Sequence, residues 1–333
     1  MHYANQLSLS KSVFSHLVHP VLMLQPLSEV SFDLCIFTHI QSTSIQSSQD
    51  NFFQKRAIFQ FDGYFINNNN INITQCIFKY CISYHSSGCF NIQKSRSSVQ
   101  YNIFSSNRGK FGGAFHSLQM KRFELNQNLF YHNAADYFGA AYIDTIFTNL
   151  QSSQNNFTHN HGRKWVGALE LYSSKSKTSI LKYLIFDQNS AKHCAAYFDL
   201  STPPNFKNIE IALFINNSAQ RRGGAITDFP YCIQANYSKC VFIGNQCNEG
   251  NCIYVETRKA IIMLFDCFFD CSKEKAFYFN WVKQFPGCES KIICDDDVVF
   301  INYDKNKMII KKEKEIRNKI PPVTKLEWFL NDN

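Results

Sequence analysis

A phenylalanine followed three residues later by an asparagine recurs along this 333-residue chain at a nearly constant spacing. The phenylalanines of the six clear copies are separated by 26, 27, 29, 28 and 28 residues. A fixed period of this size is typical of a solenoid, in which each repeat packs against its neighbours. The copies are Phe104 with Asn107, Phe130 with Asn133, Phe157 with Asn160, Phe186 with Asn189, Phe214 with Asn217, and Phe242 with Asn245.

Weaker copies of the phenylalanine extend the repeat at Phe78 and Phe269, and Phe14 and Phe37 begin two degenerate N-terminal copies. A second motif of small residues follows each phenylalanine and ends in an aromatic or aliphatic residue. It predicts a tight turn that leads into a strand, with the small side chains in a crowded interior. The second motif occurs as Gly112-Gly113-Ala114-Phe115, Gly139-Ala140-Ala141-Tyr142, Val166-Gly167-Ala168-Leu169, Cys194-Ala195-Ala196-Tyr197, Gly223-Gly224-Ala225-Ile226 and Gly250-Asn251-Cys252-Ile253.

The period of about 27 residues, with two or three short strands in each repeat, matches one turn of a parallel β-helix. Leucine-rich repeats have a similar period, but their leucine spacing is absent, and a β-propeller blade needs about 40 to 45 residues. We therefore predict an all-β, single-stranded parallel β-helix of roughly ten coils. The stacked coils should bring the phenylalanines into one inward column and the asparagines into a ladder of amide hydrogen bonds, with the asparagines in left-handed conformations.

Three segments are predicted from the extent of the repeat: N-terminal capping coils at 1–34, the β-helix at 35–301 and a basic cap or tail at 302–333. The 41 residues from Phe37 to Phe78 exceed one period, which indicates a loop insertion near 41–51. Seven basic and two acidic residues lie between Lys305 and Lys319, a local charge of +5 out of a total of +8. Met308 to Ile320 has a helical apolar stripe and is predicted to cover the open end of the rod.

The paired motifs F-x-x-N and G-G-A-I, as in Phe214 to Asn217 followed by Gly223 to Ile226, resemble the repeat of the chlamydial polymorphic outer-membrane proteins. They are also similar to repeats of surface proteins in protozoan parasites. The resemblance covers roughly residues 76 to 280 and implies a right-handed β-helix of the pectin-lyase-like type. It further implies an adhesive surface role.

One acidic pattern is a candidate site. Three aspartates each lie three residues beyond the last alanine of their small-residue motif, and two glutamates lie within one residue of the equivalent place. On stacked coils this spacing predicts a row of carboxylates along one edge, where like charges repel unless they are solvated, paired or bridged by a cation. The predicted row is Asp144, Glu170, Asp199, Asp228 and Glu256.

No catalytic residues and no cofactor are predicted. The order of Asp295-Asp296-Asp297 after His161-Gly162 is the reverse of a polygalacturonase arrangement. The 13 cysteines include no C-x-x-C pair, and Cys240 and Cys267 lie one period apart, so we expect them to stack as buried free thiols.

The functional prediction is a non-enzymatic surface or secreted protein for adhesion or interaction with a protein or glycan, such as one on a host cell. A polysaccharide lyase or hydrolase, and a structural remnant of a larger β-helix protein, are the alternatives. Four sequons, at Asn72, Asn156, Asn216 and Asn236, favour a cell-surface or extracellular location, although the N-terminus has no clear signal peptide. The modest charge of the main body argues against nucleic acid, and no apolar run is long enough for a transmembrane helix.

Overall fold

The computed structural model describes residues 6–18, 22–24, 29–42, 59–62, 70–145, 150–173, 178–200, 206–228, 234–256, 261–279, 291–300 and 306–320. These residues confirm the predicted all-β fold, a right-handed single-stranded parallel β-helix with a small C-terminal helix. The rod has about eight turns rather than the predicted ten. Among the described residues, sheet 2 strands run only from Gln41–Ser42 to Ser218–Ala219, so the coils at both ends have no strand on that face.

Three parallel sheets form the faces of the rod in the described part of the chain. Sheet 1 has 20 strands, sheet 2 has seven and sheet 3 has ten. The strands of sheet 1 are Gln6–Ser10, Val13–Ser15, Glu29–Asp33, Ile36–Thr38, Asn70–Thr74, Ile77–Lys79, Arg96–Gln100, Ile103–Ser105, Arg122–Asn126, Leu129–Tyr131, Gln151–Ser153, Asn156–Thr158, Thr178–Asp187, Phe206–Ile215, Gln234–Ser238, Val241–Ile243, Ile261–Phe265, Phe268–Phe269, Lys291–Cys294 and Val299–Phe300.

The two smaller sheets complete each coil. The strands of sheet 2 are Gln41–Ser42, Ile82–Ser83, Arg108–Gly109, Ala134–Ala135, His161–Gly162, Ser190–Ala191 and Ser218–Ala219. The strands of sheet 3 are Leu22–Leu24, Phe59–Asp62, Phe90–Gln93, Phe115–Met120, Ala141–Thr145, Leu169–Ser173, Tyr197–Asp199, Ile226–Asp228, Ile253–Val255 and Phe277–Phe279. The helices of the described residues are Lys273–Ala276 and Asn306–Lys319.

The predicted column of phenylalanines runs through the centre of the rod. From Phe104 to Phe242, neighbouring rings lie 4.7 to 5.1 Å apart and within 9° of parallel. Phe14 and Phe300 are the outermost members that stack on this column. The rings face each other because parallel pairing holds each phenylalanine opposite the next at one strand spacing.

The asparagine ladder lies beside this column, and its six members are almost entirely buried. Asn133 Nδ2 donates to Asn160 Oδ1 at 3.0 Å and to the Phe104 carbonyl at 2.8 Å. Asn133 Oδ1 in turn accepts from the backbone N–H and Nδ2 of Asn107. Each amide therefore satisfies backbone groups at the corner of the coil as well as the next amide.

The left-handed conformation predicted for these asparagines belongs instead to the residue before each of them. Ser106, His132, His159 and Gln188 have φ values of 52° to 55°. A bend at the preceding residue directs the asparagine side chain inward, where it reaches the next coil. An asparagine in the left-handed position would project outward, as Asn216 does with φ 50°.

The small-residue motif marks the place where successive coils approach most closely. A Cβ atom added to Gly139 would lie 1.8 Å from the Gly167 carbonyl oxygen of the next coil. The buried alanines Ala140 and Ala168 follow these glycines and lead directly into strands of sheet 3. The crowding predicted from the sequence therefore arises from contact between backbones.

The N-terminal region is more regular than a degenerate cap. Gln6–Ser10 pairs with Glu29–Asp33 in the same parallel register as the later coils, although both were assigned to capping coils at 1–34. Gln41–Ser42, placed at the start of the loop insertion near 41–51, forms a strand of sheet 2. Residues 43–58, which include the rest of the predicted insertion, lie outside the described residues.

The C-terminal helix packs on the side of the rod, which corrects the prediction that it caps the open end. Ile316 and Ile320 are buried against outward apolar residues of sheet 1, among them Leu213 and Val241. Arg317 pairs with Asp187 of the rod at 3.5 Å. The helix lies here because the later coils place apolar residues outside the rod, where they need a cover.

We predict that Asn133→Ala destabilises the rod by about 3 kcal/mol, because it leaves buried donors of Asn107 and the Phe104 carbonyl without partners. Chemical denaturation of the full chain measures this change. Asn248→Ala removes an exposed amide and serves as the control, with an expected change below about 0.5 kcal/mol. Equal stability of the two variants would contradict a structural role for the ladder.

Candidate functional site

The five predicted acidic residues do not form one row, so the predicted acidic edge is wrong. Glu170 is paired in register with Phe198, whereas Asp199 is paired with Leu171, a core residue. Asp228 occupies the same register position as Asp199. Because strand residues alternate between faces, Glu170 and Asp199 belong to opposite faces of sheet 3.

The wrong prediction has two causes: Glu170 lies only two residues beyond Ala168, and the motif before Asp144 is offset by one residue. The register pairs Phe115 with Ala141 and Ala141 with Leu169, so Ala140 is the equivalent of the alanine in the other motifs. Asp144 therefore lies four residues beyond its motif alanine rather than three. A shift of one residue moves a side chain to the other face of a strand.

Asp144 and Glu170 lie on the outward face of sheet 3, yet both are buried, with 7% and 3% of their surface exposed. Burial raises the pKa of Asp144 to about 6 and raises the pKa of Glu170 well above its usual range. Among the described residues, Asp144 Oδ1 has no hydrogen-bond partner. A raised pKa suits a general acid, but the burial denies a polysaccharide access to either carboxyl.

Asp199 takes part in a buried ion pair inside the rod. Its Oδ2 lies 3.7 Å from Lys207 Nζ and accepts a hydrogen bond from the Tyr197 hydroxyl at 2.9 Å. The Lys207 ammonium also lies 5.0 Å from the ring centroid of Tyr197 and 5.4 Å from that of Tyr237. Less than 3% of either charged side chain is exposed, so this pair is part of the interior.

Glu256 forms its own ion pair on the outside of the rod. It pairs with Arg222 at 2.7 Å, and the Arg222 guanidinium lies 5.3 Å from the ring centroid of Tyr254. Within the described residues no group of three or more His, Cys, Asp or Glu side chains is arranged to hold a metal ion. The predicted carboxylate row therefore supplies no cation site.

A different row occupies the turn before the small-residue motif, and we call it the aromatic stripe: Phe111, Tyr137, Trp165 and His193. The residue after each member donates its backbone N–H to the carbonyl of the previous member, at 2.9 Å in all three steps. The four residues therefore take equivalent positions in four successive coils. Trp165 is 39% exposed, and the other three are partly exposed.

The rings of the aromatic stripe lie flat against their neighbours. Phe111 and Tyr137 stack at 5.4 Å, and Trp165 and His193 stack at 4.8 Å. Lys164 Nζ lies 4.6 Å from the Tyr137 ring centroid. Lys110 Nζ lies 5.9 Å from the Phe111 ring centroid. Ammonium groups therefore flank the Phe111–Tyr137 pair of the stripe.

The turn segments that carry the stripe have an excess of positive charge. Segments 110–111, 136–138, 163–166, 192–194, 220–222 and 248–249 contain six Lys or Arg and two Asp or Glu. The pKa of His193 is lowered, first by burial and then by the positive charges of Arg222, Arg221 and Lys192. The stripe therefore lies in a positive field that favours an anionic ligand.

The sequence analysis missed this surface. Its signal is present, because an aromatic or histidine residue precedes the small-residue motif in four successive repeats. The spacing varies, since Lys164 is an additional residue in its turn, and only the backbone register shows which residues are equivalent.

The thirteen cysteines include eleven in the described residues, and all eleven are free thiols. Cys240 and Cys267 are buried at equivalent inward positions, as their spacing predicted. Each thiol donates to a backbone carbonyl, Cys240 to Ile209 and Cys267 to Tyr237. These cysteines fill the same interior position that asparagines occupy in earlier coils.

We predict that Lys207→Met destabilises the protein by about 3 to 5 kcal/mol, because it removes the cation that pairs with the buried carboxylate of Asp199. Denaturant unfolding at neutral pH measures the loss. Lys182→Met breaks an exposed ion pair with Glu210 and is the matched control, with an expected cost below about 1 kcal/mol. If both substitutions cost the same, the interior pair has no special role in stability.

Comparison with known protein families, with curated proteins and with solved structures found no match to this chain. Among the described residues, no helix has the length and apolar character that crossing a membrane requires. The surface of the rod, and above all the aromatic stripe, is therefore the basis for a proposed function.

Proposed function

We propose that this protein is a non-enzymatic interaction protein that binds an acidic polysaccharide along the aromatic stripe. The observation that carries the proposal is a row of partly exposed aromatic rings over four coils, with lysine ammonium groups beside Phe111 and Tyr137. The apolar side of a sugar ring packs against exposed aromatic carbon atoms, and carboxylate or sulfate groups on the sugars pair with lysine. A surface with exposed aromatic rings and lysine side chains therefore matches a polysaccharide that has apolar sugar faces and acidic groups.

The geometry of the rod suits a linear ligand. Successive coils are about 4.8 Å apart, so equivalent side chains repeat along the axis at about the length of one sugar unit. A polysaccharide that lies along the rod would therefore meet one stripe residue per coil. Many weak contacts of this kind add up along a chain, as in other multivalent binding.

The acidic groups near the stripe do not oppose an anionic ligand. Asp136 pairs with Arg163 at 3.1 Å, and Glu256 pairs with Arg222 at 2.7 Å. Asp144 and Glu170 are buried, with raised pKa values. The remaining field along the stripe comes mostly from lysine and arginine.

The resemblance of the F-x-x-N and G-G-A-I repeat to surface-protein repeats supports a place for this chain at a cell surface or outside the cell. Adhesion to a host or neighbouring cell through its glycans is the role that follows. A pectin-lyase-like enzyme is the alternative: the raised pKa values of Asp144 and Glu170 would suit a general acid, whereas the burial of both carboxyls argues against it. A remnant of a larger structural β-helix would need no ligand at all.

We predict that the wild-type protein binds polygalacturonate and that the Tyr137→Ala, Trp165→Ala double variant binds it at least about tenfold more weakly. Isothermal titration calorimetry on the full chain measures both constants. Tyr101→Ala is the matched control, because Tyr101 is also 39% exposed but lies at a bend of sheet 1. Binding should weaken as salt is added, since lysine contributes to the attraction.

Several results of this experiment would overturn the proposal. One is unchanged affinity in the double variant, and another is equal binding of neutral dextran. Tighter binding of a single-stranded oligonucleotide would assign the stripe to nucleic acid instead. Release of reducing ends from polygalacturonate, lost in Asp144→Asn, would identify an enzyme.

The location is tested through the sequons. Asn216 is exposed at a bend, whereas the amide of Asn236 donates to Asn208 Oδ1 at 2.8 Å and Asn156 accepts a hydrogen bond from the hydroxyl of Thr158. If the protein passes through the secretory pathway, we expect a glycan at Asn216, seen as a mass shift that Asn216→Gln removes. Protein from its native cell with no glycan at any sequon and a cytosolic distribution would contradict an extracellular role.

A further inference from the structure

One pair of thiols near the C-terminal end differs from the other cysteines of the rod. Cys252 Sγ and Cys271 Sγ lie 3.9 Å apart. Cys252 is fully buried, whereas Cys271 is partly exposed. The pair thus combines a sheltered thiol with one that a small molecule can reach.

The neighbouring cysteines in the described residues lack this combination. Cys35 and Cys76 are adjacent, and so are Cys240 and Cys267, but all four are at least 99% buried. Burial raises the pKa of Cys76 to about 12, which keeps that thiol protonated. Buried, protonated thiols are inert toward disulfide reagents.

Cys271 has the features of an attacking thiol. The hydrogen bond from Cys252 lowers its pKa, and the positive charge of Lys275 acts in the same direction. The pKa of Cys252 is raised by burial, so Cys252 holds the proton that it donates. A thiolate at Cys271 is therefore favoured over one at Cys252.

We propose that Cys252 and Cys271 form an oxidisable dithiol, a modification site at which a disulfide joins the last coils of the rod. The sulfur atoms need to approach by only about 2 Å to reach bonding distance, which side-chain rotation can supply. The oxidant is a low-molecular-weight disulfide such as oxidised glutathione.

The reaction proceeds by two thiol–disulfide exchanges. The Cys271 thiolate attacks one sulfur of the reagent, forms a mixed disulfide and releases one thiolate. Cys252 then loses its proton, attacks the Cys271 sulfur and releases the second thiolate. The two protein thiols lose two electrons and two protons, and the reagent is reduced to two thiols.

The disulfide would link two neighbouring coils near the C-terminal end of the rod. Cys252 leads directly into Ile253–Val255, and Cys271 precedes the short helix that leads into Phe277–Phe279, the neighbouring strand of sheet 3. The Cys252 backbone N–H already donates to the Ala276 carbonyl at 3.1 Å. A covalent link across 19 residues would restrain the terminal coils, which separate first in a solenoid.

The test is incubation of the folded full-length protein with oxidised glutathione, followed by intact mass spectrometry and peptide mapping. We expect a loss of two hydrogen masses, a cross-linked peptide that contains both cysteines, and a higher melting temperature that returns to its original value after reduction. Cys271→Ser should abolish all three changes.

Two further variants make the outcome specific. Cys252→Ala introduces the residue that other coils have at this register position, such as Ala168 and Ala225, so it should fold and still fail to form the disulfide. Cys247→Ser removes another partly exposed thiol and should leave the reaction unchanged. A wild-type protein that keeps both thiols, or that stops at a glutathione adduct on Cys271, would refute the proposal.

Discussion

Backbone hydrogen bonds between equivalent residues of successive coils are the interaction on which the rest of this structure depends. They hold each residue beside its equivalent in the neighbouring coil. A residue type that recurs once per coil therefore forms a continuous row. Phenylalanine gains from this arrangement because its rings stack at about 5 Å, and asparagine gains because its amide both donates and accepts. Phenylalanine and asparagine form continuous columns in the interior, aliphatic residues and cysteines fill much of the rest, and small residues lie where the coils come closest.

The same stacking is unfavourable for charge, since like charges at one strand spacing repel each other. The acidic residues near sheet 3 do not form one continuous row, although Asp199 and Asp228 share a register position. Four of the five are paired or buried. Asp199 pairs with Lys207 inside the rod, and Glu256 pairs with Arg222 outside it. Asp144 and Glu170 are buried with raised pKa values, which favours their neutral forms.

Features that suit function occur where a turn departs from the strict repeat. The aromatic stripe occupies turns of unequal length, and its side chains are partly exposed. Cys252 replaces the alanine of other coils and meets Cys271 from the turn of the next coil. At the aromatic stripe and at the Cys252–Cys271 pair, the stacked coils bring side chains close together. The residue type at each position then decides the chemistry of the site.

The sequence by itself determined the fold class, the column of phenylalanines and the asparagine ladder, because their period of 26 to 29 residues reports coil stacking directly. It did not determine which face Asp144 or Glu170 would occupy relative to Asp199, since a difference of one residue in the distance from the small-residue motif reverses the face. The position of the C-terminal helix, the Asp199–Lys207 pair and the aromatic stripe were likewise decided by tertiary structure. Each of these depends on the register between distant segments and on turns of variable length, which local spacing does not encode.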